Sequence, residues 1–304
     1  MVQFKIDKKW NQKNLLEFLL NKFSFISISK IKKHIKNGNI KINNAKVFYL
    51  QTLHLNDEIK IYSKEFKIQK VNWNFLKANK LKHVLYEDKN ILIVDKPRGL
   101  LCQEDANQKI DTLNNRIKKY LYEKKEWDPE IETTFTPNIC HRIDKYTTGL
   151  IVAAKNKKTL SEINKLWNTN AITKKYICLV YGIPKSKNKL LDNYIMIDEN
   201  NSIKIIKDNQ FNKKIITEYS VITEYKNYSK LLVTLKTGKK HQIRIHLNHI
   251  GHPILGDTKY HKVDSMGYKY PCLNTFQIEF NFPKKHFLEK LNSLKIESKS
   301  FQFK

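Results

Sequence analysis

"CHRIDKYTTGLIVAAK", residues 140–155, sets Arg142 and Asp144 two positions apart just ahead of an apolar run from Leu150 to Ala154. Thr147, Thr148 and Gly149 lie between, and the run reads as a buried strand. A carboxylate at the mouth of such a strand loses its hydration, which is costly unless a partner charge or hydrogen bonds replace the water. The stretch therefore raises the question of whether that charge is paired, hydrogen-bonded or put to use.

Arginine usage is the next informative feature. Of 57 basic residues only four are Arg, at 98, 116, 142 and 244, against 53 Lys. A diffuse positive field needs only Lys, whereas Arg supplies a planar fork, so an Arg in this chain marks a geometric need. Arg142 lies in the opening stretch, and Arg244 in "HQIRIHLNHIGHPILGD", residues 241–257.

The rest of the composition bounds the partner. The 304 residues are 40% hydrophobic, enough for one large domain and a small one, and carry a net charge of +28. That surplus points to a polyanion, nucleic acid first, although AT-rich codon usage also favours Lys, Asn and Ile. Residues 1–80, with 17 Lys and five acidic residues, hold +12 of it. Cysteines 102, 140, 178 and 272 form no C-x-x-C pair, which argues against a zinc ribbon or redox motif and fits reduced thiols. The start, MVQFKIDKKW, lacks a signal-peptide core, and no apolar run nears the ~18 residues of a membrane span. These features predict a cytoplasmic protein with no membrane partner.

Within the basic N-terminal region, Leu15, Leu16, Leu19, Leu20 and Phe23 recur at helical spacing. Ser27 is placed to cap a second helix with Ile28, Ile31 and Ile35 on its apolar side and Gly38 at its end. Lys30, Lys32, Lys33 and Lys36 fall on its other faces. Short alternating segments follow at 39–47, turning at Asn43–Asn44, and at 57–62. These features divide the chain into a small basic domain at 1–64, a polar linker at 65–80 and a larger domain at 81–304.

In that larger domain, Ile91–Val94 reads as a strand before a turn at Lys96-Pro97-Arg98-Gly99, and "TKKYICLVYGIP" (173–184) as another. "KLLVTLKTGKKHQIRIHLNHIGHPILGD" (230–257) runs from a strand through a glycine turn into a His- and Arg-rich segment. There is no βαβ regularity, dinucleotide fingerprint or Walker sequence, and the fold class expected is α+β on a mixed or antiparallel sheet. Histidines 241, 246, 249 and 252 are crowded, no acid precedes Asp257 in their segment, and H-E-x-x-H is absent, which argues against a metal site or a metal-dependent nuclease.

Residues 27–62 resemble the S4 RNA-binding fold. HRIDKYTTGL (141–150), KKYICLVYG (174–182) and HQIRIHLNHIGHPILGD together resemble the RluA-type RNA pseudouridine synthases, in particular the RluC/RluD branch that modifies large-subunit ribosomal RNA. The resemblance spans about residues 12–304. It departs from the family at Cys102-Gln103-Glu104-Asp105, at Lys239-Lys240 and at "CLNTFQIEF" (272–280).

The chemistry so implied breaks the N1–C1′ bond of a uridine, rotates the base and rebonds it at C5. No electrons are exchanged and no group leaves, so neither metal nor redox cofactor is required. A carboxylate, an ion partner for it, an aromatic platform and exclusion of water suffice, once the target nucleotide has left its stack. By resemblance Asp144 is the catalytic carboxylate and Arg244 its bidentate partner. Arg142 enters the RNA, and Tyr176 stacks on the uracil and serves in proton transfer. Attack at C1′, attack at C6 and a glycal route stay open. Tyr176 also alternates with Cys178 and Val180, as on a buried strand face. Lys30, Lys32, Lys33 and Lys36 would bind RNA through the S4-like module. The expected partner is 23S ribosomal RNA, naked or within a ribosome assembly intermediate, and the expected state is a monomer. A non-catalytic assembly factor would have no need of the set Asp144, Tyr176 and Arg244, which this chain contains.

Overall fold

The computed structural model describes residues 1–23, 26–66, 72–132, 134–199, 203–206, 213–261, 266–300 and 303. They form two compact units, Met1–Trp73 with Lys124–Thr136, and Asn74–Glu123 with Pro137–Lys304.

The first unit runs β1 (Val2–Lys5), α1 (Leu15–Lys22), α2 (Ile28–Lys36), β2 (Ile40–Ile42), β3 (Ala45–Lys46) and β4 (Glu58–Ile61). Asn14 caps α1 by accepting from the Glu17 N–H, and the Ser27 hydroxyl caps α2 by accepting from that of Lys30. The strands pair antiparallel in the order β1-β4-β2-β3. Asn43 and Asn44 join β2 to β3 with φ of 49° and 67°, the backbone that a tight hairpin turn requires. Leu15, Leu19, Phe23, Ile31 and Ile35 fill the core, whereas Ile28, in the first turn of α2, stays exposed. The anticipated linker, 65–80, contains Phe66, wholly buried in this core with its ring centroid 4.9 Å from that of Phe23. Residues 67–71 of that stretch lie outside the described residues, and Trp73–Lys77 forms a short 3-10 helix.

The second unit opens with β5 (Val84–Glu87), β6 (Ile91–Lys96), α3 (Leu113–Glu123), β7 (Asn138–Ile139), β8 (Thr148–Ala154) and α4 (Lys157–Leu166). It continues with β9 (Ile172–Tyr181), β10 (Asn188–Ile197), β11 (Ile203–Ile206), β12 (Lys213–Glu224), β13 (Tyr228–Leu235), α5 (Gln242–His249), β14 (Leu273–Phe280) and β15 (Ile296–Glu297). One sheet takes the order β11-β10-β12-β13-β9-β14-β8-β6-β5, with β15 on β14 and β7 on β8. β14 lies between β8 and β9, parallel to the first and antiparallel to the second, so the sheet is mixed. The fold is therefore α+β, a large mixed sheet with a separate small α/β unit. Among the described residues no helix is long and apolar enough to cross a membrane.

β8 is buried at every position, as its apolar run implied. Gly149 lets it meet β14: its φ is 108°, and a Cβ there would run into the Thr275 carbonyl oxygen and stand 2.6 Å from the Thr275 nitrogen. β6 extends beyond Val94 to two buried charges, each satisfied. The Asp95 carboxylate accepts from the Ser298 and Ser300 hydroxyls and from the Lys299 and Ser300 N–H groups. The Lys96 ammonium donates to the carbonyls of Pro97, Leu100 and Lys145 at 3.1, 2.8 and 3.0 Å.

Candidate active site

The loop into β8 is built to present Asp144. Its peptide turns back between the Asp144 carbonyl and the Thr147 N–H, 3.1 Å apart, and the Gly99 N–H and Lys96 ammonium both hold the Lys145 carbonyl. Cys102 Sγ donates to the Ile143 carbonyl at 3.4 Å. The loops after β6 and before β8 are thus stitched together, with Asp144 on the inner side. His141 starts the loop, stacked on Trp167 with ring centroids 4.1 Å apart, and its Nε2 accepts from the Val152 N–H. Burial, with the nearby Lys174 charge, pushes its pKa down to about 3, so it stays neutral.

Arg244 reaches this carboxylate from α5. Its Nη1 donates to Asp144 Oδ2 at 2.6 Å, while Nε and Nη2 donate to Asp257 Oδ2 and Oδ1 at 2.7 Å each. The bidentate grip expected for Asp144 belongs to Asp257, and Asp144 receives a single N–H. Burial opposes the Arg244 charge, but hydrogen bonding to Asp257 and the Asp257 and Asp144 charges outweigh it and raise its pKa. This answers the question raised by the opening stretch: the cation is Arg244, itself anchored by a second carboxylate.

His241 precedes α5 in a left-handed conformation, φ 57°. Its Nδ1 lies 2.7 Å from the Tyr260 hydroxyl and its Nε2 3.4 Å from Asp144 Oδ2. Burial raises the Tyr260 pKa to about 12, so the phenol keeps its proton. With the phenol donating to Nδ1, the neutral imidazole turns its Nε2–H toward the carboxylate. His246 instead meets Thr217 Oγ1 at 2.7 Å and His252 donates to the Tyr181 carbonyl at 2.8 Å, so these histidines take separate partners.

Asp144, Tyr176, Arg142 and Arg244 line one cavity of about 660 Å³, with Trp167 and His241. Tyr176 is 8% exposed on β9, and burial, aided by the Asp144 charge, raises its pKa to about 12. It is both a buried strand residue and part of the cavity wall. Arg142 is exposed to solvent. Lys30, Lys32, Lys33 and Lys36 belong to α2 of the first unit, where the Lys30 ammonium stands 3.5 Å from Glu65 Oε2. Sequence reasoning passed over Asp257, His241, Tyr260 and Lys96. The scarcity of arginine held a signal for Asp257, because a forked cation so deeply placed needs a forked acceptor.

The RNA pseudouridylate synthase family matches residues 90–249. A protein of Mycoplasma capricolum subsp. capricolum named an uncharacterized RNA pseudouridine synthase is 34% identical over 301 residues, covering 96% of each chain. The ribosomal large subunit pseudouridine synthase D of Borreliella burgdorferi is 30% identical over 284 residues, 92% of this chain and 85% of that protein. In fold, the chain is similar to human RNA pseudouridylate synthase domain containing 4, with TM-score 0.52 and 24% identity over 65% of this chain and 84% of that one. On the family match and these relatives, the chain belongs to the RNA pseudouridylate synthase family and is an RNA pseudouridine synthase.

Proposed function

We propose that the chain isomerises uridines of large-subunit ribosomal RNA, with Asp144 as the reacting carboxylate. The observation that carries the site assignment is the chain of charges Asp257–Arg244–Asp144 ending in the cavity. Arg244 is fixed before substrate arrives, so the carboxylate needs no reorganisation when water is displaced. The cavity has the size of a small-ligand site and accommodates one extruded nucleotide. Tyr176, protonated at neutral pH, supplies a flat wall against which a detached uracil stacks while it turns, and its hydroxyl serves in proton transfer. Arg142, exposed beside the cavity, meets the RNA that the target nucleotide leaves. The S4-like first unit adds affinity through Lys30, Lys32, Lys33 and Lys36, and binding weakens steeply with salt.

Ribosomal RNA as substrate draws support from the name of the Borreliella relative. The test is tritium release from C5-labelled 23S ribosomal RNA, comparing the parent with Asp144→Asn, with and without EDTA. Release by the parent alone, indifferent to chelator, is expected. Equal release by both would remove Asp144 from the chemistry, and release from transfer RNA but not ribosomal RNA would overturn the substrate.

A further inference from the structure

The turn after β3 is rigid and yet presents apolar side chains to water. The Gln51 N–H donates to the Phe48 carbonyl at 3.1 Å and the Phe48 N–H to Gln51 Oε1 at 3.4 Å. The carbonyls of Tyr49 and Gln51 accept from the Leu16 and Leu15 N–H groups at the start of α1, at 3.0 and 2.9 Å. The backbone is thus pinned to a helix end whose donors need it. Phe48, Tyr49 and Leu50 nevertheless stand 79%, 41% and 63% exposed. Scattered apolar residues on a surface need no explanation, but three in succession on a fixed turn mark a contact.

The same turn is joined to the lysine face of α2. Lys32 Nζ lies 4.4 Å from the centre of the Tyr49 ring. Ile28, 51% exposed, Lys32 and Lys36 follow one another at intervals of four along that helix and so share its face. The surface therefore offers flat apolar groups and cations side by side. A partner must be anionic and must also present uncovered apolar faces. Unpaired nucleotides meet both conditions, whereas a duplex hides its base faces.

We infer that Phe48, Tyr49 and Leu50 form a stacking platform for unpaired RNA bases, with Lys32 and Lys36 meeting the adjoining phosphates. This rests on the reading of the chain as acting on RNA, and it adds a recognition element for single-stranded segments of that RNA. Because the turn is already fixed, stacking there orders little protein.

The experiment is fluorescence anisotropy with the full-length chain, using an unstructured oligoribonucleotide and a duplex of equal length across a salt series. Phe48→Ala/Leu50→Ala is expected to weaken single-strand binding about tenfold. It leaves duplex binding, the slope of log affinity against log salt, and the melting temperature unchanged. Lys32→Ala/Lys36→Ala is expected to reduce that slope by about 1–2. Unchanged single-strand affinity in the aromatic variant would overturn the inference and assign the patch to a protein partner or a second copy. Equal losses on single strand and duplex would also overturn it. A parent that bound neither RNA would overturn this inference together with the RNA-binding reading of the unit, whereas a binding parent with an unaffected variant removes the platform alone.

Discussion

Asp257 holds the Arg244 guanidinium through two parallel hydrogen bonds of 2.7 Å, and one N–H of Nη1, turned away from that pair, fixes Asp144 at 2.6 Å. Lysine keeps the charge but cannot serve two carboxylates in this geometry. Arg244→Lys is expected to lower kcat by at least about 100-fold, with KM for RNA nearly unchanged, in single-turnover and steady-state assays. Asp257→Asn leaves the guanidinium short of a charge in a buried place and is expected to reduce stability by about 3 kcal/mol in urea denaturation.

Tyr260→Phe removes only the hydroxyl that meets His241 Nδ1. The imidazole is then free to place its proton on Nδ1 and turn a lone pair toward Asp144. One neutral hydrogen bond is worth about 1 kcal/mol, so kcat is expected to fall roughly fivefold with the melting temperature within a degree or two of the parent. A loss of stability without a change in kcat would make Tyr260 a packing residue.

Gly149→Ala places a methyl group against the Thr275 backbone where β8 and β14 meet. Neither strand can retreat without breaking the centre of the sheet. The variant is expected to lose more than about 4 kcal/mol, visible as insoluble expression or a non-native circular dichroism spectrum. Native-like soluble protein would show that the two strands can part at this point.

Stability is expected to fall with acid below neutrality. Burial holds His246 at about 4 and His141 at about 3, against an ordinary value near 6.5. Between these values the unfolded chain binds protons that the folded chain refuses, so stability rises with pH through that window and is lost as pH falls through it. His246 alone contributes on the order of 2 kcal/mol, and His246→Gln should flatten the dependence by that amount in urea titrations at pH 7 and pH 4.5.

The legible parts of the fold were those with a period or a cap. Leu15, Leu19 and Phe23 marked α1, Ser27 marked the start of α2, and Leu150–Ala154 marked β8. α5 was less legible, because Gln242-Ile243-Arg244-Ile245-His246-Leu247 alternates polar and apolar at the period of a strand, although all six are buried in a helix. β14, set aside in the sequence as a departure from the family pattern, proved to be the strand that joins β8 to β9. The site divided in the same way. Asp144 and Arg244 drew notice as a charge ahead of an apolar run and a rare arginine, their pairing was expected from the family resemblance, and the structure brings the two side chains within 2.6 Å. Lys96 was concealed by its role, since its partners are backbone carbonyls that no side-chain pattern reveals.

The position of β14 also sets a timetable for the nascent chain. β8 and β9 leave the ribosome long before the strand that separates and joins them. At ~5–20 residues per second, the roughly hundred residues from Tyr181 to Phe280 take about 5–20 s to synthesise. Until β14 arrives, Thr148 and Gly149 of β8 and the β14-facing edge of β9 lack their partner strand, and an unpaired edge is able to pair in the wrong register or with another chain. Folding of the second unit therefore waits on a late insertion, and its yield should depend more on elongation rate and chaperone supply than on the stability of the finished sheet.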